Sequence, residues 1–240
     1  NDDPRSICMP SDGNVVVAGQ YTLASGAYTT RVAKYNASTG AQMWAFEPTT
    51  EWQTFNQVVA DGSGNAIAAG NNAGASLSTE SAYSVKFNAS GGVVWSQTVN
   101  GVNNDFDSAQ TLDVDSSGNV YVGVESRVVP GVTVNDDDIL VAKLAAANGA
   151  EQWRRSISGA LVGSDVPEFV TLDASDNVYV GGAVYESSTS GSDALLARLN
   201  SSTGTVVWST TKTGTNSAGG ELIRSIAFNG SEVYATTIMS

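Results

Sequence analysis

Residues 115–123 read DSSGNVYVG, and this stretch decides the fold. A short turn of Asp, Ser, Gly and Asn runs straight into Val120–Gly123, where β-branched and aromatic residues favour an extended chain. The pattern returns as SDGNVVVAG, DGSGNAIAAG and DASDNVYVGG, and its asparagines Asn14, Asn65, Asn119 and Asn177 step by 51, 54 and 58 residues. A degenerate fifth copy, FNGSEVYATT, runs from Phe228 to Thr237. A second motif keeps the same period: RVAKYNASTGAQMW, AYSVKFNASGGVVW, ILVAKLAAANGAEQW and ALLARLNSSTGTVVW, ending at Trp44, Trp95, Trp153 and Trp208. Two independent motifs drifting together mark an internal repeat.

Each unit reads as four short strands, most clearly in the third. Ala109 to Asp115 alternates, with Leu112 and Val114 on one face, and Val120 to Val124 follows the turn. Ile139 to Leu144 is nearly continuous in apolar residues, as a middle strand covered on both faces should be. Glu151 to Ile157 is more polar, which suits an exposed edge. No segment sustains a helical period. Four strands every 50 to 60 residues predict an all-β fold, a β-propeller of four-stranded antiparallel blades. Open meanders stacked on one another are the structural rival. A tryptophan in each unit favours the propeller, because Trp44, Trp95, Trp153 and Trp208 can fill the gaps between twisted sheets; burying such a ring contributes roughly 2–3 kcal/mol. The units fall at about 5–53, 54–107, 108–166 and 167–221 of one propeller spanning 1–240, with a partial fifth at 222–240. The chain begins at a first strand, so it cannot donate the third and fourth strands that the fifth unit lacks. The ring is expected to be incomplete, either because the chain is a fragment of a larger propeller or because a partner finishes it.

Composition narrows the function. The chain has 240 residues, 41% hydrophobic and only 15% charged, with a net charge of −13. An acidic surface is the reverse of a nucleic-acid footprint. No apolar run is long enough to cross a membrane as a helix, so membrane insertion is not expected. No histidine is present, which removes the Ser-His-Asp triad and His-ligated zinc. The lone Cys8 forbids an internal disulfide, and its place in a first strand reads as a small buried hydrophobe. The opening Asn1-Asp2-Asp3 carries no visible signal peptide and reads as a mature or truncated chain.

The units resemble the secreted SBBP-type β-propeller repeat family, in the copies Asp115 to Gly123 and Asp173 to Gly182 and in the cations Lys34, Lys86, Lys143 and Arg198 of the third strands. That resemblance implies a propeller and an extracellular or cell-surface setting, and no reaction. KYNASTGAQMW (34–44) and RLNSSTGTVVW (198–208) are also similar to the tryptophan-docking motif of quinoprotein propellers, which hold pyrroloquinoline quinone over a calcium ion. The vicinal cysteine pair of those enzymes is absent, so the motif is read as blade packing and no cofactor is expected.

Strands that alternate in direction sort the loops onto two rims. The second-to-third and fourth-to-first loops collect Glu80, Asp105, Asp107, Asp136, Asp137, Asp138, Asp165, Glu168, Glu186, Asp193 and Glu221. This acidic rim is read first as solvated loop acids, and functionally as an attractor of divalent cations or a basic partner. Asp136, Asp137 and Asp138 are the candidate calcium ligands within it. On the other rim, Asp61, Asp115 and Asp173 each precede the motif asparagine by four residues and are read as turn caps, with Gly and Asn at positive φ. The sequons at Asn36, Asn88, Asn200 and Asn229 are candidate glycosylation sites in exposed turns. The third-strand cations need a partner, a snorkelled head or a stacked blade tryptophan. Trp52 is a loop residue, either a recognition anchor or a lid.

The leading expectation is a non-enzymatic extracellular scaffold that presents its rim to a protein or glycan, or packs against neighbouring chains of a larger surface structure. A carbohydrate-binding lectin is the alternative. A glycoside hydrolase would need two of Asp105, Asp107 and Asp165 in one cleft.

Overall fold

The computed structural model describes residues 3–48, 53–72, 80–102, 106–128, 136–187, 191–213, 220–229 and 232–238. Its described elements are all strands. The first blade holds β1 (Asp3–Cys8), β2 (Val15–Thr22), β3 (Tyr28–Tyr35) and β4 (Gln42–Phe46). The second holds β5 (Gln53–Ala60), β6 (Ala66–Asn72), β7 (Ser81–Phe87) and β8 (Val93–Thr98). The third holds β9 (Asp107–Val114), β10 (Val120–Arg127), β11 (Asp137–Leu144) and β12 (Glu151–Ile157). The fourth holds β13 (Val166–Leu172), β14 (Val178–Ser187), β15 (Gly191–Leu199) and β16 (Val206–Lys212), and β17 (Leu222–Asn229) pairs with β18 (Glu232–Ile238) in a two-stranded fifth sheet. Every pairing is an antiparallel meander in chain order, so each blade is built from local hairpins.

The blades share no single core. One apolar cluster joins Val16, Ala18 and Val32 of the first blade to Phe55, Val58, Val85 and Phe87 of the second. A second joins Ile67 and Trp95 to Leu112, Val120 and Val122, and a third joins Tyr121, Ile139 and Val141 to Val170, Val180 and Leu195. A smaller fourth cluster sets Ala194 and Leu196 against Ile223. The middle strands β6, β7, β10 and β11 are covered on both faces, whereas the outer strand β16 is exposed along its length. That is the pattern of sheets stacked face to face around an axis, a β-propeller.

The first strand of each unit is innermost. β1, β5, β9, β13 and β17 together wall one channel of about 520 Å³, whose lining includes Arg5, Asn56, Gln110, Glu168 and Arg224. Each of these five residues sits at a break in pairing register, an extra residue bulged out of the inner strand. The bulge explains the motif glycine on the neighbouring strand. A Cβ on Gly19, Gly70 or Gly182 would lie 2.2, 1.9 or 2.0 Å from a backbone oxygen of the bulged strand.

Candidate functional site

The repeated motifs meet in one node per blade, at the turn end of the sheets. Asp61, Asp115 and Asp173 cap their own turns: in each, Oδ1 accepts the backbone N–H groups two and four residues on, at 2.8–3.0 Å. Positive φ falls on Gly13, Gly64 and Gly118, and on Asp176 in the fourth blade, not on the asparagines. Two of these aspartates also anchor third-strand cations: Lys86 reaches Asp61 at 2.8 Å and Lys143 reaches Asp115 at 3.3 Å, while Lys34 uses Asp12 at 2.6 Å. Burial pushes the Asp61 and Asp115 carboxyls up, but their Asn partners and the lysines outweigh it and hold both below the usual range. In the third blade the cation stacks on a tyrosine, with Lys143 Nζ 5.0 Å from the Tyr121 ring centre. Burial and the nearby Asp115 charge raise the Tyr121 hydroxyl.

Each node closes on the next blade. Ala89 O accepts from both Trp44 Nε1 (3.1 Å) and Lys34 Nζ (3.4 Å). Ala146 O accepts from Trp95 (3.2 Å) and Lys86 (3.0 Å), and Ser201 O from Trp153 (3.0 Å) and Lys143 (3.1 Å). Over each indole lies a turn glycine at positive φ, Gly91, Gly149 or Gly204, where a Cβ would come within 2.5–2.8 Å of the ring. The fourth blade breaks the series. Trp208 is 37% exposed, and no acceptor for its N–H is found among the described residues. Arg198 donates to Asn177 Oδ1 at 2.5 Å, but its Nε is buried with no partner among the described residues.

Sequence reasoning missed the channel. Inner strands are stitched to one another by side chains: Ser6 Oγ accepts from Val58 N–H (3.0 Å), Gln57 Oε1 from Leu112 N–H (2.8 Å) and Thr111 Oγ1 from Val170 N–H (3.1 Å). Asp113 Oδ2 accepts from Thr171 Oγ1 and Leu172 N–H. Of the bulged residues, Arg5 donates to Asn56 (2.6 Å) and Arg224 pairs with Glu168 (2.8 Å). The available signal was polar Arg5, Asn56, Gln110 and Glu168, each nine residues before a motif asparagine.

The acidic rim is not a set of solvated acids. Asp107, Asp137, Asp165, Asp193 and Glu221 are all buried, and Glu168 lines the channel instead. Asp107 Oδ1 accepts from Gly101 N–H (2.9 Å) and Ser126 Oγ (2.6 Å). Asp165 accepts from Gly159 and Tyr185 N–H, both at 2.6 Å, tying a linker to the next blade. Burial raises the Asp165 carboxyl to about 6, helped by the charges of Asp138 and Glu186 and opposed by those two N–H groups. Both carboxylate oxygens of Glu221 are buried with no partner among the described residues. Of the candidate calcium ligands, Asp137 pairs with Arg127 (3.0 Å) and Asp138 accepts from Ser156 (2.8 Å). Among the described residues no group of three acidic, His or Cys side chains is arranged to hold a metal. Asp107 and Asp165 hold equivalent places in successive blades and neither lines the channel, so they do not form a cleft of paired carboxylates. Asp105 and Trp52 lie outside the described residues.

The sequon asparagines Asn36, Asn88 and Asn200 use their side-chain oxygens to cap the turns, accepting N–H groups two to four residues on at 2.9–3.1 Å. Asn88, Asn200 and Asn229 are exposed and Asn36 partly so. Cys8 is half-buried against the first interblade cluster, and burial pushes its thiol up to about 11.

The fold has known relatives among solved structures. A quinohemoprotein alcohol dehydrogenase (ADHIIG) from Pseudomonas putida HK5 aligns over 100% of this chain and 39% of its own, at 13% identity and a TM-score of 0.60. That from Comamonas testosteroni aligns over 97% of this chain and 39% of its own, at 14% identity and a TM-score of 0.56. The chain thus spans about two fifths of the length of either dehydrogenase. BamB from Moraxella catarrhalis aligns over 98% of this chain and 71% of its own, at 15% identity and a TM-score of 0.47. Comparison with curated protein sequences yields no match. A quinone over a calcium ion does not fit the residues present. Among the described residues the only aromatic side chain lining the channel is Phe169, and the channel carboxylates Asp113 and Glu168 are engaged by Thr171, Leu172 and Arg224. Of the docking tryptophans, Trp44 serves a blade interface instead. The family model described as outer membrane protein assembly factor BamB matches residues 5–217, and the chain belongs to that family of propeller repeats.

Proposed function

We propose that the chain is a non-enzymatic propeller scaffold, working outside the cytoplasm and binding other proteins. One observation carries this reading: the carboxylates that a hydrolase would need are held in structural contacts, Asp107 and Asp165 by backbone N–H groups of the linkers and neighbouring strands, Asp113 and Glu168 by partners across the inner strands. The outer strands and the first blade also expose apolar side chains, with Ile7, Met43, Val93 and Val94 each about half accessible or more. Such surface favours protein contact. The family's description as an assembly factor supports the same reading. The finer expectation, a cell-surface or extracellular protein with glycans on the second rim, is part of the proposal.

The test is photo-crosslinking of the chain in its native setting, with a benzophenone side chain placed in turn at Ile7, Met43 and Val94. A discrete protein adduct at one of these positions is the expected result. The absence of any adduct, together with alcohol oxidation or glycoside hydrolysis that the Asp165→Asn variant loses, would overturn the reading.

A further inference from the structure

At the turn end of the sheets the blade junctions repeat one contact, and one junction leaves it empty. The residue three before a motif asparagine (Ser11, Gly62 or Ser116) meets the residue one before the next blade's asparagine (Gly64, Gly118 or Asp176). At the first junction a Cβ on Gly64 would lie 3.1 Å from Ser11 Oγ, so the serine fills the space. At the third junction Asp176 fills it. Its Oδ1 accepts from Ser116 N–H at 2.9 Å and its Oδ2 from the Ser116 hydroxyl at 2.5 Å. At the second junction glycine stands on both sides. A Cβ on Gly62 would meet nothing within 4 Å, and one on Gly118 would stay 3.8 Å from Asp61 Oδ2. The result is a cavity of about 340 Å³ between the second and third blades, whose lining includes Asp61, Gly62, Ser63, Lys86, Ser117 and Gly118.

The donors that hold Asp176 have counterparts in this cavity. Gly62 N–H stands where Ser116 N–H stands, and no acceptor for it is found among the described residues. Lys86 is buried and donates to Asp61 (2.8 Å) and to Ala146 O (3.0 Å). An ammonium has three N–H groups, so one is left. The Ser63 and Ser117 hydroxyls add two rotatable donors. The Asp61 charge does not bar an anion, because Asp176 sits beside an equally charged cap, Asp115, with its lysine Lys143. The Asp61–Lys86 pair is the closer of the two, at 2.8 against 3.3 Å.

We propose that this cavity is a binding site for a carboxylate. The ligand's carboxylate takes the place that Asp176 fills one junction further on. One oxygen accepts from Gly62 N–H, and the other from a serine hydroxyl or from Lys86. Charge-assisted hydrogen bonds of this kind are short and directional. At a net charge of −13 the protein repels anions at a distance, so these local donors hold the ligand and long-range attraction does not. Such a site lies beyond the scaffold reading and does not depend on it.

The probe is acetate, titrated at neutral pH and fixed ionic strength into the ¹⁵N-labelled 240-residue protein, with chloride as the reference anion. The expected result is a saturable downfield shift of the Gly62 amide, half complete at a concentration on the order of 1–10 mM. Two variants use the third junction as the template. Gly118→Asp installs the residue type that Asp176 already carries at positive φ and places the carboxylate inside the chain. Its Gly62 amide should be shifted without acetate and should respond at least about tenfold more weakly. Asp176→Gly empties the third junction in a backbone conformation that glycine adopts freely, and should make the Ser116 amide respond to acetate as Gly62 does. Blocked Ala-Asp-Ala and Ala-Asn-Ala peptides separate the sources of the group. An Asp peptide that binds at least about tenfold more tightly than acetate assigns the site to an acidic side chain of a polypeptide, and one that binds no better assigns it to a small free acid. A Gly62 amide unmoved at about 100 mM acetate, a full response retained by Gly118→Asp, or equal binding of the Asn peptide would overturn the proposal.

Discussion

The same substitution should have unequal cost at equivalent places in the repeat. Trp95 is 6% exposed, donates its N–H to Ala146 O at 3.2 Å and is covered by Gly149. Truncation to alanine opens a cavity inside the cluster that joins the second and third blades, and a buried aromatic removed in this way costs about 3–5 kcal/mol. Trp208 is 37% exposed, has no acceptor among the described residues and touches Tyr179 only edge-on at 6.1 Å. Its truncation removes part of one apolar face and should cost about 1 kcal/mol, from roughly 25 cal/mol per Å² over the smaller area covered. At this chain length 1 kcal/mol moves the midpoint by about 2–4 °C, so Trp95→Ala should melt on the order of 10 °C low and Trp208→Ala only a few degrees low. Thermal unfolding followed by far-ultraviolet circular dichroism reads both. Propeller blades can unfold unevenly, so amide exchange in β7 and β11 should accompany it and show the Trp95 loss centred on that junction. Equal losses at the two positions, or a larger one at Trp208, would refute the indole as the wedge between blades.

Other consequences follow from the same geometry. Asp61→Asn leaves the buried Lys86 ammonium without its counter-charge and should cost about 3–5 kcal/mol, whereas Asp3→Asn breaks an exposed pair with Arg5 and should cost under about 1 kcal/mol, both read by urea titration. Gly149→Ala puts a Cβ against the Trp95 ring at positive φ and should destabilise clearly more than Gly40→Ala, where the same backbone faces open space; parallel melts compare them. Asp165 has a folded pKa of about 6, above its unfolded value near 4, so it favours the fold while protonated and that contribution is lost as pH rises from about 4 to about 6. Asp165→Asn should therefore flatten stability against pH in that window. Asp61, Asp115 and Asp173 are shifted the other way, so their contribution is present above pH 4 and fades below it.

The blade pattern was readable because its signals are local. Turn residues, a two-residue alternation and a tryptophan at a fixed offset each act within one hairpin, and β9 to β12 fall close to the strands expected from the third unit. Contacts between blades were not readable. Asp115 and Lys143 are 28 positions apart and Lys143 and Ser201 58 apart, and nothing in either motif announces that one aspartate both caps a turn and neutralises a lysine two strands away. The acids misled for a physical reason. Asp107 and Asp165 stand in loop-like sequence, yet the loops they end are linkers drawn into the sheet junction, where exposed N–H groups need an acceptor. Sequence position located them on a rim, and burial turned them from a binding surface into ties. The channel went unseen because a bulge shows only as a register break, although the polar residue it turns inward recurs with the repeat.

Small-angle scattering tests most directly whether the inner strands share one axis. Five sheets curved around a common channel should give a radius of gyration of about 18 Å for a chain of this length. A value above about 25 Å, with a scattering profile of an elongated particle, would mean that the units are strung in a line, and the channel and the rims would be lost with the curvature.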